Sequence, residues 1–250
     1  MTSPIEVVYP QWSIPNAIKA LVTTRNGGFS LPPFDSLNLA LHVGDDETTV
    51  VRNRELVSDH FTHDMPTLWL NQQHTSRCLY GHPVWSTPPV ADAVWTDQPG
   101  LVLAVMTADC LPILITNQSG SLVCAVHAGW RGLVDGILAN TLAELPEKPQ
   151  NLIAWIGPAI SQRHFQVGDE VRQAFLQQNV DNDKAFIRDK SASGKWLADL
   201  PEMAQSQLTS MGVNKVVQSG LCTYDDPRFF SYRKQGQTGR IASLIWIAPK

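Results

Sequence analysis

Three side chains of the sequence have the chemistry of metal ligands, or of a nucleophile with its base: His74, Cys110 and His127. Two imidazoles and a thiolate that leave a fourth position open are typical of catalytic zinc sites, and they also bind copper. The same residues allow a second interpretation, in which His127 activates Cys110 as a nucleophile and His74 is an orienting group or a bystander. Both interpretations require Cys110 and His127 to meet in the fold.

The segments around Cys110 and His127 predict a β-hairpin. Residues 102–106 and 113–116 have the composition of short buried strands, and residues 122–126 return after a turn. A two-residue loop at Gln118 and Ser119 would place Cys110 directly opposite His127, with their Cβ atoms about 5 Å apart. A slip of the turn, or an interruption of the ladder by Pro112, would change this register.

A loop of small residues follows His127 and leads into a predicted helix from about Leu133 to Leu145. Free N–H groups at a helix start favour an anion, and a guanidinium such as that of Arg131 suits phosphate or carboxylate. In the alternative interpretation, Gly129 and Gly132 only shape a tight turn and Arg131 pairs with an acidic neighbour.

Composition limits the classes of protein to consider. The chain has 250 residues, 43% of them hydrophobic. Its net charge of −4 does not favour binding to nucleic acid or to an anionic membrane. It contains neither an apolar run long enough to span a membrane nor a recognisable signal peptide. Its four cysteines form no CxxC pair, which favours reduced thiols in a cytoplasmic protein.

The remaining periodicity predicts mixed strands and helices without a repeat or a linker, and therefore one domain over residues 1–250. Strands are predicted at residues 20–23, 67–70, 151–156, 213–219 and 241–247, and helices at residues 48–61, 167–177 and 195–208. No GxSxG elbow, Walker loop or GxGxxG fingerprint occurs, so three common enzyme classes lose their main support.

A series of motifs in family order makes the chain resemble the YfiH family of laccase-domain, or multicopper polyphenol oxidoreductase-like, proteins. The resemblance runs from about Thr23 to Ile247 and rests on TTRNGGFSLPPFDSLNL, WLNQQH, TADCLPILI, AVHAGWRG, IGPAI, VGDEV and CTYDDPRFFSYRKQGQTGR. It implies an α+β fold in one domain, with layered sheets sandwiched between helices (αββα). It also implies kinship with the catalytic domain of cytotoxic necrotizing factor toxins, through the Cys and His that match Cys110 and His127.

The resemblance further implies that His74, Cys110 and His127 bind zinc. Asn38 and Arg54 match family positions placed at the same pocket. One position departs from the family pattern, because Thr75 stands where glycine is usual after the pocket histidine. A Cβ at that point could narrow the pocket or alter the turn.

Members of the family resemble purine nucleoside phosphorylases that also deaminate adenosine and cleave methylthioadenosine. Older assignments call them laccases, and bacterial relatives are associated with editing of peptidoglycan precursors. Laccase chemistry needs several coppers, and seven histidines and four cysteines without an HxH pair argue against such a centre. A single zinc fits water activation, since it brings bound water to a pKa of about 7.

We therefore predict a zinc-dependent phosphorylase of purine nucleosides (adenosine, inosine and methylthioadenosine) that binds phosphate and also has adenosine deaminase activity. The predicted catalytic residues are Cys110, His127, Asn38, Arg54 and, for phosphate, Arg131; the metal ligands are His74, Cys110 and His127, with copper as the other possible metal. The alternatives are a cysteine amidohydrolase acting on cell-wall precursors, a copper-dependent polyphenol oxidase and a non-catalytic metal-binding protein. A monomer or weak homo-oligomer without nucleic-acid or membrane partners is expected.

Overall fold

Largely apolar strands, many of them buried on both faces, build two large β-sheets, and the computed structural model describes them within residues 4–249. The predicted domain, residues 1–250, includes residues 1–3 and 250, which lie outside the described part. The elements in chain order are β1 (Val7–Val8), β2 (Ile18–Thr23), α1 (Glu47–Val57), β3 (Thr67–Trp69), β4 (Cys78–Tyr80), β5 (Ala93–Thr96), β6 (Val102–Thr107), β7 (Leu111–Asn117), β8 (Val123–Ala128), α2 (Trp130–Val134), α3 (Ile137–Glu144), β9 (Leu152–Ile156), β10 (Gln166–Gly168), α4 (Asp169–Gln178), β11 (Phe186–Arg188), β12 (Lys195–Ala198), α5 (Leu200–Ser210), β13 (Lys215–Gln218), α6 (Tyr232–Gln235) and β14 (Ile241–Ile247).

The strands form three sheets. One has the order β1-β2-β14-β6-β3, a second has the order β13-β9-β7-β8-β5-β4, and a small third has the order β10-β12-β11. Each of the two large sheets combines antiparallel pairs with parallel ones, such as β3 with β6 and β9 with β13. Strands that are distant in sequence therefore become neighbours, and the loops at one sheet edge come from many parts of the chain.

The two-residue period of the strands determines which side chains lie between the large sheets. In β14, Ile241 and Ile245 belong to the apolar layer between the sheets, whereas Leu244 packs on the opposite side. In β8, Val123 belongs to the same inter-sheet layer, and Cys124 packs on the other face. Two sheets packed face to face in this way share one continuous core.

Helices cover the outer faces of the two large sheets. Buried side chains of α3, α4 and α5, among them Leu138, Phe175 and Leu208, pack against the outer face of the six-stranded sheet. On the five-stranded sheet, Val57 of α1 joins the outer cluster. The arrangement of helix, sheet, sheet and helix confirms the predicted α+β sandwich. In residues 4–249 no helix is long and apolar enough to cross a membrane.

Two predicted helices were wrong in their extent. The segment predicted as a helix from residue 195 begins as strand β12, which pairs with β10 and β11. Helix α5 starts only after Asp199, whose side chain caps the helix by accepting the Glu202 N–H at 3.1 Å. The helix predicted from Leu133 to Leu145 is divided into α2 and α3, because Gly136 adopts a left-handed φ of 83°. Helical spacing alone did not reveal either interruption.

Candidate functional site

The predicted ligands meet at one end of the layer between the two large sheets. His74 lies in the loop after β3, Cys110 immediately precedes β7, and His127 is near the end of β8. Their ligand atoms all lie within 4.8 Å of one another, with His74 exposed, Cys110 half-buried and His127 buried. The structure thus brings together three residues from distant parts of the sequence.

The hairpin that carries two of these residues has a different register from the predicted one. Pro112, not Cys110, is opposite His127, and the last pair before the turn is Thr116 with Val123. The turn is longer than two residues because the Asn117 side chain accepts the N–H of residue 121 and stabilises a wider loop. The displacement is by two residues, so Cys110 remains on the same face as His127, as its diagonal neighbour.

Asp92 is a candidate site residue that the sequence pattern did not reveal. Its buried carboxylate lies 2.7 Å from His127 Nδ1 and accepts the backbone N–H groups of Gln73, His74 and Thr75 at 3.2, 3.1 and 2.6 Å. Burial tends to raise the pKa of this carboxyl, but the hydrogen bond with His127 and those with Thr75 prevail and lower it. The anionic Asp92 fixes the His127 ring, so that Nε2 is the nitrogen left for another partner.

The same carboxylate also stabilises the loop that carries His74. His74 adopts a left-handed φ of 58°, which is uncommon for a residue with a side chain. Thr75 donates both its N–H and its hydroxyl to Asp92, the latter at 2.8 Å. The threonine side chain therefore anchors the turn beneath the site.

The two imidazoles have opposite electrostatic environments. Burial lowers the pKa of His74, and the neighbouring His127 lowers it further, so His74 favours the neutral form that binds metal. Burial also acts to lower the pKa of His127, but hydrogen bonds and charge from Asp92 and Cys110 outweigh it and raise the pKa to about 9. Without a metal, the contacts with Asp92 and Cys110 stabilise a proton on His127.

Gly129, at the junction of β8 and α2, leaves room for the ligands. A Cβ at this position would lie 2.8 Å from His74 Nδ1 and 3.2 Å from Cys110 Sγ. Glycine thus allows the backbone to pass closely behind both ligands. Two imidazoles and one thiol form a donor set that fits a single metal ion, and the glycine beside them leaves the space that these side chains need.

A cavity of about 530 Å³ opens above the three ligands. Its walls combine aromatic rings and cationic groups, among them Trp130, Phe165, Tyr232, Arg131, Arg233 and Arg240. Asp109, also in the wall, has a left-handed φ of 92° and accepts the Arg233 N–H at 2.6 Å and the Thr223 hydroxyl at 2.7 Å. The cavity can therefore accept a flat ring together with an anion.

Arg131 lies at the mouth of the cavity, as its sequence position suggested. Its guanidinium lies over the Trp130 ring, 4.5 Å from the centroid, and forms no ion pair with any acidic side chain of residues 4–249. The start of α2 also contributes to the wall through Trp130 itself. The cation remains available to an anion.

Asn38 and Arg54 lie behind the cavity wall rather than on its surface. Asn38 is fully buried, and its Oδ1 accepts the Arg240 N–H at 2.9 Å. Arg54 donates to the Leu39 carbonyl at 2.9 Å and stacks on Trp69, and burial lowers its pKa to about 10. The geometry indicates that these two residues position the wall, whereas Arg240 faces the cavity.

The chain is similar to proteins of a known family. The family model described as "Multi-copper polyphenol oxidoreductase laccase" matches residues 19–248. A Shigella flexneri protein named purine nucleoside phosphorylase YfiH is 44% identical over 97% of this chain and 99% of its own length. The protein of the same name from Escherichia coli is 43% identical, again over 97% of this chain and 99% of its own.

Solved structures agree with the fold described above. The crystal structure of a Neisseria meningitidis protein is similar with a TM-score of 0.93 and 42% identity, over 97% of this chain and 99% of that one. A Bacillus licheniformis hypothetical protein YfiH has a TM-score of 0.86 and 33% identity, over 93% of each chain. The similarity thus covers nearly the whole chain.

Proposed function

The chain belongs to the YfiH family, described as multi-copper polyphenol oxidoreductase laccases, and on this premise we propose that it is a zinc-dependent purine nucleoside phosphorylase that also deaminates adenosine. The names of its relatives support the phosphorylase class. The observation that carries the proposal is the cluster of His74, Cys110 and His127 at the floor of a cavity with cationic and aromatic walls.

His74, Cys110 and His127 would hold the zinc, which would supply a Lewis acid at the floor of the cavity. Asp92 keeps His127 in the orientation that directs Nε2 toward this centre. A multicopper centre needs more histidine and cysteine ligands than this cluster offers, so the donor set favours one metal ion.

The walls of the cavity suit the two substrates of phosphorolysis. In that reaction a phosphate oxygen bonds to C1′ of the ribose while the bond from C1′ to the purine nitrogen breaks, and the purine takes the electron pair and a proton. Arg131, Arg233 and Arg240 provide guanidinium groups for phosphate. Phe165 and Tyr232 provide aromatic faces for a purine, and a volume of about 530 Å³ lies within the range of small-molecule sites.

Chromatography of adenosine incubated with phosphate and the purified protein tests the proposal. We expect adenine, and hypoxanthine or inosine where deamination occurs, with intact protein and not with Cys110→Ala. His82→Ala, which removes an exposed histidine outside the cavity, is the control for surface changes and should keep full turnover. Equal product from Cys110→Ala and intact protein would contradict the assignment of the site.

One observation favours a second candidate, a cysteine amidohydrolase acting on cell-wall precursors. Cys110, His127 and Asp92 form a chain of contacts, in which a thiol borders an imidazole whose other nitrogen meets a buried carboxylate. This order is the one used by cysteine hydrolases. Amide hydrolysis that persists in chelator-treated protein and is abolished by thiol alkylation would select this function over the zinc-dependent one.

A further inference from the structure

We propose that His164, Cys222 and Asp225 form a second divalent-cation site, separate from the cavity and independent of the function proposed above. Their ligand atoms all lie within 4.8 Å of one another. Imidazole, thiolate and carboxylate are the three protein donors that zinc uses. The site is outside the His74, Cys110 and His127 centre and shares no ligand with it.

Two chain segments hold these donors in place. His164 ends a short helical turn, Gln162–His164, and Cys222 forms an isolated parallel bridge with Ala159. The bridge is closed by backbone hydrogen bonds, including one from the Thr223 N–H to the Ala159 carbonyl at 3.0 Å. The separation of the ligands is therefore determined by the backbone and does not depend on flexible side chains alone.

The His164 ring is oriented but not satisfied. It stacks on Tyr224, with the ring centroids 4.1 Å apart and the planes at 12°. Its Nε2 lies 2.7 Å from Asp225 Oδ1, yet this buried nitrogen has no well-directed hydrogen bond among the described residues. The hydroxyl of Ser161 is likewise buried without a partner in residues 4–249. A buried nitrogen with only a poorly aligned acceptor, next to a buried hydroxyl without a partner, is consistent with a site for a further ligand such as a cation.

Asp225 can bind a cation through Oδ1 without losing its ion pair with Arg163, which contacts Oδ2. Arg163 contacts Oδ2 at 2.5 Å, which leaves Oδ1 on the side of His164. A carboxylate that binds metal through one oxygen is commonly held through the other. The Arg163 side chain is mostly exposed, with 69% of its surface accessible, so solvent screens its charge from a nearby cation.

The site has a route to solvent. Cys222, Ser161 and Arg163 line a cavity of about 390 Å³, through which a hydrated cation can enter and in which water can complete the coordination. Binding displaces the thiol proton of Cys222 and requires no oxidant or reductant. The expected occupant is Zn²⁺ or a similar borderline cation, because a thiolate is a poor ligand for magnesium or calcium.

A cation at this site would stabilise the wall of the main cavity. Thr223, next to Cys222, donates to Asp109 at 2.7 Å, and the His164 carbonyl accepts from Arg233 at 3.2 Å. Both Asp109 and Arg233 line the main cavity. The proposed role is therefore structural.

Zinc content measured by emission spectroscopy tests the proposal. The full chain is stripped with a chelator, reloaded with excess Zn²⁺ and desalted. We expect about two zinc ions per chain in intact protein and about one in either Cys222→Ser or Cys110→Ser. Cys78→Ser, at a cysteine outside both clusters, should keep the full content. An unchanged zinc content in Cys222→Ser, or no zinc in Cys110→Ser, would overturn the second site.

Co²⁺ provides a readout that does not depend on enzyme activity. In Cys110→Ser protein, Co²⁺ should produce a near-ultraviolet thiolate charge-transfer band that vanishes when Cys222→Ser is added. Asp225→Asn, checked by circular dichroism for an intact fold, should weaken Co²⁺ binding 10-fold or more. Loss of a single group that holds or orients a metal commonly weakens binding about 10- to 100-fold. A band that persists in the double variant would refute the assignment, whatever the result for nucleosides.

Discussion

Asp92 connects two of the predicted metal ligands although it is not itself a ligand. It holds the His127 ring through Nδ1 and the His74 loop through three backbone N–H groups. The sequence shows Asp92 only as one acidic residue before a short apolar strand. Its importance arises from contacts with residues 18 and 35 positions away along the chain, which periodicity does not reveal.

Asp92→Asn should lower zinc affinity about 10- to 100-fold, because the amide holds His127 less firmly and removes the negative charge behind it. Competition with a zinc chelator measures the change. Asp97→Asn, which alters an exposed carboxylate hydrogen-bonded to Tyr80, is the matched control and should leave the affinity unchanged. Equal affinities for the two variants would show that Asp92 does not act through the ligands.

At the scale of elements, the junction between β8 and α2 determines whether the ligands can meet. Gly129→Ala should reduce zinc content and nucleoside turnover strongly, since its Cβ would lie 2.8 Å from His74 Nδ1. Gly132→Ala, three residues along, places its Cβ no closer than 3.5 Å to any neighbour and should be tolerated. Metal analysis of both purified variants checks the prediction, and a Gly129→Ala protein with full metal content would contradict it.

The segment that follows Cys222 contributes a pH-dependent ion pair. The hydrogen bond from Arg228 is the main reason why the pKa of Asp226 is lowered, and burial opposes it only in part. Because the folded pKa lies below the unfolded one, the stabilisation is present at neutral pH and is lost as the pH falls through the folded value.

Asp226→Asn should therefore reduce the free energy of unfolding at neutral pH by at most about 1 kcal/mol, since the pair is partly exposed, and by less near about pH 3. Urea unfolding at both pH values measures the difference. Asp59→Asn, at an exposed position, serves as control. A loss that grows as the pH falls would contradict the sign of this argument.

Much of the fold could be predicted from the sequence, and the reasons for the failures are physical. The apolar run that forms β14 was predicted with the same bounds, Ile241–Ile247, because a buried strand needs little more than its own side chains. The hairpin register depended on the Asn117 side chain, and β12 depended on pairing with two distant strands. The candidate ligands could be identified from their residue types. Asp92, Asp109 and the arginines of the cavity could be identified only from the three-dimensional structure.

At the scale of the whole molecule, stability depends on the layer between the large sheets. Ile245 is fully buried in this layer, so Ile245→Ala should destabilise the protein by about 2–5 kcal/mol. Ile187→Ala, at a position that is 54% exposed, should cost far less. Equilibrium urea unfolding compares the two variants, and similar losses would show that the layer is not the main core.

The three candidate ligands do not belong to one layer. His74 follows β3 of the five-stranded sheet, whereas Cys110 immediately precedes β7 and His127 lies in β8, both strands of the six-stranded sheet. A zinc ion held by all three would cross-link the two layers of the folded protein and would be released on unfolding, so free zinc would stabilise the folded state by mass action. The melting temperature should then rise with the logarithm of the free zinc concentration. Conversely, a substitution that destabilises the packing between the two sheets should weaken zinc binding, even if it contacts none of the three ligands.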